Sequence, residues 1–468
     1  MASNWPSTSL ESIAEVIDSR HKTPKYSELG WPMVRVVDVK GGALNLLDTK
    51  KVSDEVYDDF SKGRDPELGD LVISRVGSYG NISYVSTTDK FCLGQNTALI
   101  VPKIQSRFLY YQLISPQVKW QIEQQVVGAV QKTISLKSIK QLSIAQPPLH
   151  VQKLIAESLG TLDDKIDLNR QINETLEQMA QALFKSWFVD FDPVIDNALD
   201  AGNPIPEALA AKGEQRRQLR ATAEKGEAEV PALPDDIRSL FPSEFEFTEE
   251  MGWIPKGWCA TDLNGLSETI TDGAHQSPPS VDAGVGLPMA SSKDLTPNGI
   301  DTGSCRYISK EDFNLLVRNG CAPKIGDVLI AKDGARCAET SCVHDAELDI
   351  VLLSSIAIIR PKYSQLAAYI HLLLSRKEAV TDLRENYVSG SAIPRIVLRD
   401  FKRFPAILPS KIIVECWDIQ MRAMYEKRAS NVQSNNQLSK LRDMLLPKLI
   451  SGELEIPEAE KLAAEALN

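Results

Sequence analysis

The chain repeats itself, and the repeat constrains its fold more than any other feature, since one architecture must serve two stretches of different sequence. Asp18-Ser19-Arg20-His21-Lys22-Thr23-Pro24 returns 254 residues later as Asp272-Gly273-Ala274-His275-Gln276-Ser277-Pro278. Gly30-Trp31-Pro32-Met33 returns as Gly286-Leu287-Pro288-Met289, with Asp38 matched by Asp294. Leu68-Gly69-Asp70-Leu71-Val72-Ile73-Ser74-Arg75-Val76-Gly77 returns as Ile325-Gly326-Asp327-Val328-Leu329-Ile330-Ala331-Lys332-Asp333-Gly334. Ala98 to Lys103 matches Ala357 to Lys362, while Gly128, Leu136 and Pro147-Pro148 find Gly390, Leu398 and Pro409. The matches keep their order while the offset drifts only from 254 to 262. This is a duplicated module.

Local pattern describes each copy. Leu71-Val72-Ile73 and Val328-Leu329-Ile330 are apolar runs after Gly-Asp, which reads as a tight turn feeding a strand. Ala98 to Val101 and Val351 to Ile359 are β-branched strand candidates, and Phe108 to Gln125 and Gln365 to Glu385 carry helical spacing. Each copy is therefore a mixed α/β (α+β) unit. After each comes a long helical pattern with apolar steps of three and four. The first runs through Ile155, Leu159, Leu162 and Ile166, slips phase near Asn169, and resumes from Ile172 to Trp187. The second runs from Ile413 to Met424, crosses polar Ser430 to Asn436, and resumes from Leu438 to Leu449. At about 1.5 Å per residue each reaches roughly 50–60 Å, which suits a paired, coiled-coil-like spacer. The expected order is module one (1–150), spacer helix (151–189), acidic Pro-rich linker (190–256), module two (257–410), second spacer helix (411–452) and acidic tail (453–468).

Charge needs the same division. The whole chain carries −11, a poor balance for gripping phosphates. Residues 1–150 hold 17 Lys+Arg against 15 Asp+Glu, and residues 256–410 hold 17 against 18. Residues 151–255 hold 10 against 21, so the acidic excess lies between the modules and argues nothing against DNA contact by them. Gln215 to Lys225 reads as an exposed helix in the linker. The longest apolar windows fall far short of the roughly 20 residues of a membrane span, and the opening residues show no signal pattern. Seven thinly spread cysteines suit reduced thiols in a cytoplasm.

Catalytic motifs are missing. There is no G-x-x-x-x-G-K-[ST] loop, no G-x-G-x-x-G cradle and no [Asn/Asp]-Pro-Pro-aromatic tetrapeptide. Asp163-Asp164-Lys165 holds an acid-x-Lys fragment, but mid-helix and without an upstream acidic partner. Cys305, Cys321, Cys337, Cys342 and His344 lack paired C-x-x-C spacing and have no counterpart in module one, so no metal is expected. His21 and His275 read as loop histidines bonded to backbone.

At this point the residues match a family. The strand openings, the Pro-Pro-Leu or Leu-Pro before each long helix, Leu159-Gly160-Thr161-Leu162-Asp163-Asp164-Lys165-Ile166-Asp167-Leu168-Asn169, Ala182-Leu183-Phe184-Lys185-Ser186-Trp187-Phe188 and Leu445-Leu446-Pro447-Lys448-Leu449-Ile450-Ser451-Gly452-Glu453-Leu454 resemble the specificity subunit of type I restriction–modification enzymes. The resemblance implies a non-catalytic chain with two target-recognition domains, each reading half of an asymmetric bipartite DNA site. It implies two antiparallel helices that hold the domains apart and set the gap. It also implies docking of two methyltransferase subunits and of motor–nuclease subunits, in a cytoplasmic DNA-methylation and phage-defence system. S-adenosylmethionine, ATP and Mg²⁺ then belong to those partners, and this chain binds no cofactor. Two other readings are a duplicated protein-interaction scaffold without base readout and an enzyme with an unrecognised site.

Phosphate and base contacts are expected in loops that follow the Gly-Asp strands. In module one these are Ser74, Arg75, Ser78 and Tyr79, with Gln131 and Lys132 later. In module two they are Lys332, Asp333, Ala335 and Arg336, with Ser391 and Arg395 later. Lys22, Thr23 and Lys25, and Gln276 and Ser277, are further candidates. Leu183, Trp187, Phe188, Trp417, Leu445 and Leu449 are expected to face partner subunits, leaving the chain poorly soluble alone.

Overall fold

The structure, a computed structural model, describes residues 5–467 apart from 48, 129–131, 226–232, 346, 391 and 455. The chain divides into two compact units: Met1–Gln171 with Asn431–Asn468, and Ile172–Ser430. Among the described residues, no helix is long and apolar enough to cross a membrane.

Both modules build the same sheets. In module one a four-stranded antiparallel sheet runs Ala14–Asp18, Thr97–Pro102, Leu71–Ser74, Ile82–Tyr84. In module two the order is Ser267–Asp272, Ile356–Pro361, Val328–Ala331, Ser341–Val343. Each has a three-stranded companion whose central strand, Trp31–Val34 or Leu287–Ala290, pairs antiparallel on one side and parallel on the other. The stretch Val351 to Ile359, expected as one strand, serves both sheets as Val351–Leu352 and Ile356–Pro361.

Strand alternation explains why the central runs are apolar throughout. Successive side chains point to opposite faces. Leu71 and Ile73 enter the core shared with the long helices, whereas Val72 enters a smaller cluster with Val34, Phe91 and Leu99. Val328 and Ile330 divide from Leu329 in the same way. The sheet is therefore covered on both faces, and one polar substitution in these runs would strand a group without water.

The expected single helices near Phe108 and Gln365 each break in two. Ser115 ends Ser106–Ile114 and caps Pro116–Gln125, its hydroxyl accepting from the Val118 N–H at 3.3 Å, with Pro116 at the first helical position. Arg376 separates Leu366–Ser375 from Lys377–Asn386.

The long helices are Leu149–Phe188 and Lys411–Ser451, 40 and 41 residues. In the first unit Ile155, Leu159, Leu162 and Ile166 share a core with Leu438, Leu445 and Leu449. In the second, Phe184, Trp187 and Phe188 share one with Ile413, Val414, Trp417 and Met421. Pairing is antiparallel in both, as Asp163 with Arg442 and Ile166 with Asn435 show in the first, and Asn173 with Arg428 and Phe184 with Trp417 in the second. The phase slip is a polar layer rather than a helix break. The Asn169 amide donates to Asn435 Oδ1 at 2.9 Å.

One expectation changes here. Trp187, Phe188, Trp417, Leu445 and Leu449 are buried in the chain's own cores, and Leu183 packs against one of them, so these side chains are not a partner-docking face. Those seam residues are satisfied internally, whereas Met179 of the first helical series is 48% exposed. In the acidic linker, helices Asp192–Ala201 and Ala210–Glu224 pack together, with Val194, Ile195 and Ala198 buried. Asp190, Asp192, Asp196 and Asp200 are matched by Lys185, Lys212, Arg216, Arg220 and Arg238.

Candidate functional site

At the end of the central strand in each module, three loops are tied to one basic residue. In module one it is Arg75. Its side chain pairs with Asp18 at the end of the first strand. Its N–H donates to Asn96 O at 2.9 Å, and its carbonyl accepts from the Ile134 N–H at 3.0 Å. The next tie is made by Gly77, whose N–H donates to Lys132 O at 3.1 Å. Module two repeats these bonds around Lys332. Its ammonium meets Asp272 at 2.8 Å, its N–H donates to Ser355 O at 2.8 Å, and its carbonyl accepts from the Ile396 N–H at 2.9 Å. The Gly334 N–H donates to Pro394 O at 3.0 Å. Gly77 and Gly334 turn the chain at φ +72° and +92°, where a side chain would be strained.

This geometry corrects several expected contacts. Arg75 and Lys332 are largely enclosed, with 12% and 6% of their side chains exposed, and their charges are taken by Asp18 and Asp272. A cation in such a pair reaches a phosphate only by leaving a carboxylate alone in a partly dry site. Ser74 is wholly buried, its hydroxyl bonded to Ser78 O and accepting from the Asn81 N–H at 3.1 Å. None of the three presents its polar group to a ligand. His21 and His275 bond not to backbone but to the same carboxylates, at 2.8 Å from Asp18 and 3.1 Å from Asp272. The two aspartates at the centre of these contacts were not among the expected residues. The signal was present, because Asp18 and Asp272 open the first matched segment of the repeat.

Other candidates lie at the surface of the tied loops. Ser78 and Lys132 are exposed and Tyr79 half-exposed. The Tyr79 hydroxyl donates to Glu123 at 2.9 Å, while Lys132 Nζ sits 5.7 Å from the ring centroid and donates to the hydroxyl at 3.4 Å. In module two Ala335 and Arg336 are exposed, and exposed Arg395 meets Asp333 at 3.1 Å. Gln131 and Ser391 lie outside the described residues. Thr23, Lys25 and Gln276 are exposed. Lys22 pairs with Asp59 at 2.9 Å, and hydrogen bonds from Lys22 and Lys62 hold that carboxyl down to about 2. Ser277 accepts from Arg306 at 2.8 Å.

Chemistry at other acidic and thiol groups is occupied. Asp163 accepts from Tyr111 at 2.7 Å and from Arg442 at 2.7 Å, and Asp164 pairs with Arg107, so the acid-x-Lys fragment is a set of struts. Cys305, Cys321, Cys337 and Cys342 are buried. Burial pushes the thiols of Cys305 and Cys342 up to about 12 and that of Cys337 to about 11. Among the described residues, no three His, Cys, Asp or Glu side chains gather in a metal-holding group.

Comparison with known proteins adds a direct relation. Residues 2–178 match the type I restriction modification DNA specificity domain. The chain is 26% identical over 396 residues to the HindI specificity subunit of Haemophilus influenzae, covering 80% of this chain and 82% of that one. It is 23% identical over 473 residues to the EcoBI specificity subunit of Escherichia coli, covering 96% and 86%. Among solved structures, the S subunit of a type I restriction–modification system from M. genitalium aligns over 96% of both chains at 12% identity, with a TM-score of 0.47.

Proposed function

The chain belongs to the type I restriction–modification specificity subunits, and on that premise we propose that each module reads one half of a bipartite, asymmetric site in double-stranded DNA. The observation that carries this reading is the duplicated loop platform, built with the same backbone bonds but carrying different side chains. Module one offers Ser78, Tyr79 and Lys132, whereas module two offers Arg336 and Arg395. Arginine suits bidentate bonding to guanine, whereas hydroxyls are less selective. Equal frames with unequal readers give two different half-sites.

The rest of the machinery lies in other subunits. In this reading the two long helices fix the number of unread base pairs, and two methyltransferase subunits bind the chain. Motor–nuclease subunits join that core in the cytoplasm. S-adenosylmethionine, ATP and Mg²⁺ serve those subunits, and this chain specifies the target without catalysing a step. Neither module carries a strong positive excess, so the methyltransferase subunits supply much of the grip on phosphates.

Competition binding tests the proposal. The chain assembled with its methyltransferase subunits should prefer duplexes selected from a random pool over scrambled ones by about 10³-fold or more at moderate salt. Equal binding to selected and scrambled duplexes would leave only the scaffold reading.

A further inference from the structure

Arg75 and Lys332 sit where contacts to DNA were expected, yet their charges are spent inside the protein. Their principal contacts are repeated between the modules, while Arg75 Nε also reaches Ile134 O at 3.4 Å and Lys332 also lies 3.7 Å from Asp333. The side chain goes to the aspartate ending the first strand, the N–H to the turn before the neighbouring strand, and the carbonyl to the later loop. The aspartate in turn meets a histidine three residues on, in the loop that opens each module. Four segments therefore converge on one ion pair. The side chains presented to solvent differ between the modules while the ion pair is kept, with Arg in one and Lys in the other.

We infer that the pairs Asp18–Arg75 and Asp272–Lys332 are positioning residues for base recognition, each locking its module's recognition loops into one geometry without touching DNA. This rests on the reading that the modules recognise half-sites, and deepens it by separating the residues that hold the loops from those that read. The argument is geometric. Each basic residue spends its side chain, N–H and carbonyl on three different segments. Losing the side chain frees the aspartate and its histidine, and with them the opening loop. Loops that sample several geometries lose discrimination between bases sooner than they lose attraction to phosphates, because hydrogen bonds to base edges depend on direction and charge attraction does not. A lysine in place of the arginine is tolerated, since module two already uses one.

The test uses the chain assembled with its methyltransferase subunits and three duplexes: the intact target and targets with one or the other half-site scrambled. Arg75→Met should lower discrimination at one half-site by tenfold or more and leave the other within twofold. Lys332→Met should do the reverse, which assigns each half-site to its module. Arg75→Lys should restore discrimination to within threefold of the unaltered chain. Asp18→Asn should affect the same half-site as Arg75→Met, and the two together should be no worse than Arg75→Met alone, because both break one pair. The salt dependence of binding should keep its slope. A slope reduced by about one with uniform weakening on all duplexes would make Arg75 a phosphate contact and overturn the inference. Equal loss at both half-sites, no loss at either, or failure of Arg75→Lys to restore discrimination would overturn it as well. Were the unaltered complex indifferent to scrambling, the half-site reading itself would fail, a result distinct from all of these.

Discussion

At the scale of the residue, burial decides what a side chain can do. Ser74 and Lys332 looked available because each follows a strand opening, yet the strand end is where the chain turns back under its own loops. Sequence gives the position along the chain but not which face of a turn is roofed. The same limit applies to Trp187, Phe188 and Trp417, whose apolar character was legible while the surface covering them was not. Trp417 is fully buried, its ring centroid 5.0 Å from that of Phe188 and 5.4 Å from that of Trp187. Trp417→Ala should destabilise the chain by about 3–5 kcal/mol in denaturant unfolding. Trp417→Phe should cost distinctly less, because the indole N–H finds no acceptor among the described residues. A Trp417→Ala cost below about 1 kcal/mol would return this cluster to the surface.

At the scale of the element, what the sequence shows best is periodicity. Both long helices were legible from apolar steps of three and four, and the polar layer was visible as a phase slip. Its cause was not, because Asn169 and Asn435 are 266 residues apart and only folding makes them neighbours. Helix Leu366–Ser375 carries a similar long-range group. His371 is buried, with Nε2 3.2 Å from Ser341 O and Nδ1 2.8 Å from the Tyr425 hydroxyl. Since a carbonyl only accepts, Nε2 carries the proton and Nδ1 accepts from Tyr425. Burial lowers the histidine below its ordinary value, although Glu177 partly opposes this and Arg428 adds to it. The unfolded chain therefore takes up a proton before the folded one does. Stability from this group is complete above about pH 6.5 and falls as pH drops below it, by at most about 1.4 kcal/mol per unit. His371→Gln should flatten the fall in unfolding free energy between pH 6.5 and 5. An unchanged slope would mean that the buried imidazole is not what the acid attacks. His344, also lowered by burial, contributes in the same direction and remains in that variant.

At the scale of the molecule, the duplication was the most legible property, because it is written in residues common to both copies. The repeated segments predicted two modules, and the two sheet pairs follow the same order. The linker was legible only as an acidic, Pro-rich stretch with one helix near Gln215 to Lys225. That its acidic side chains spaced four apart face basic ones spaced four apart on the next helix shows only in the pairing of Asp192–Ala201 with Ala210–Glu224. Net charge thus described neither the modules nor the linker well. Asymmetry between the modules is the property that matters for the target. Both copies keep the loop frame, and the exposed residues on that frame differ.

The most direct test is to map methylated bases across the genome of a host carrying this chain with its methyltransferase subunits, and again after deletion of the chain. The account predicts one motif that disappears on deletion, made of two different short sequences separated by a fixed number of unspecified base pairs. A palindromic motif, a continuous one, or a methylation pattern unchanged by deletion would contradict it.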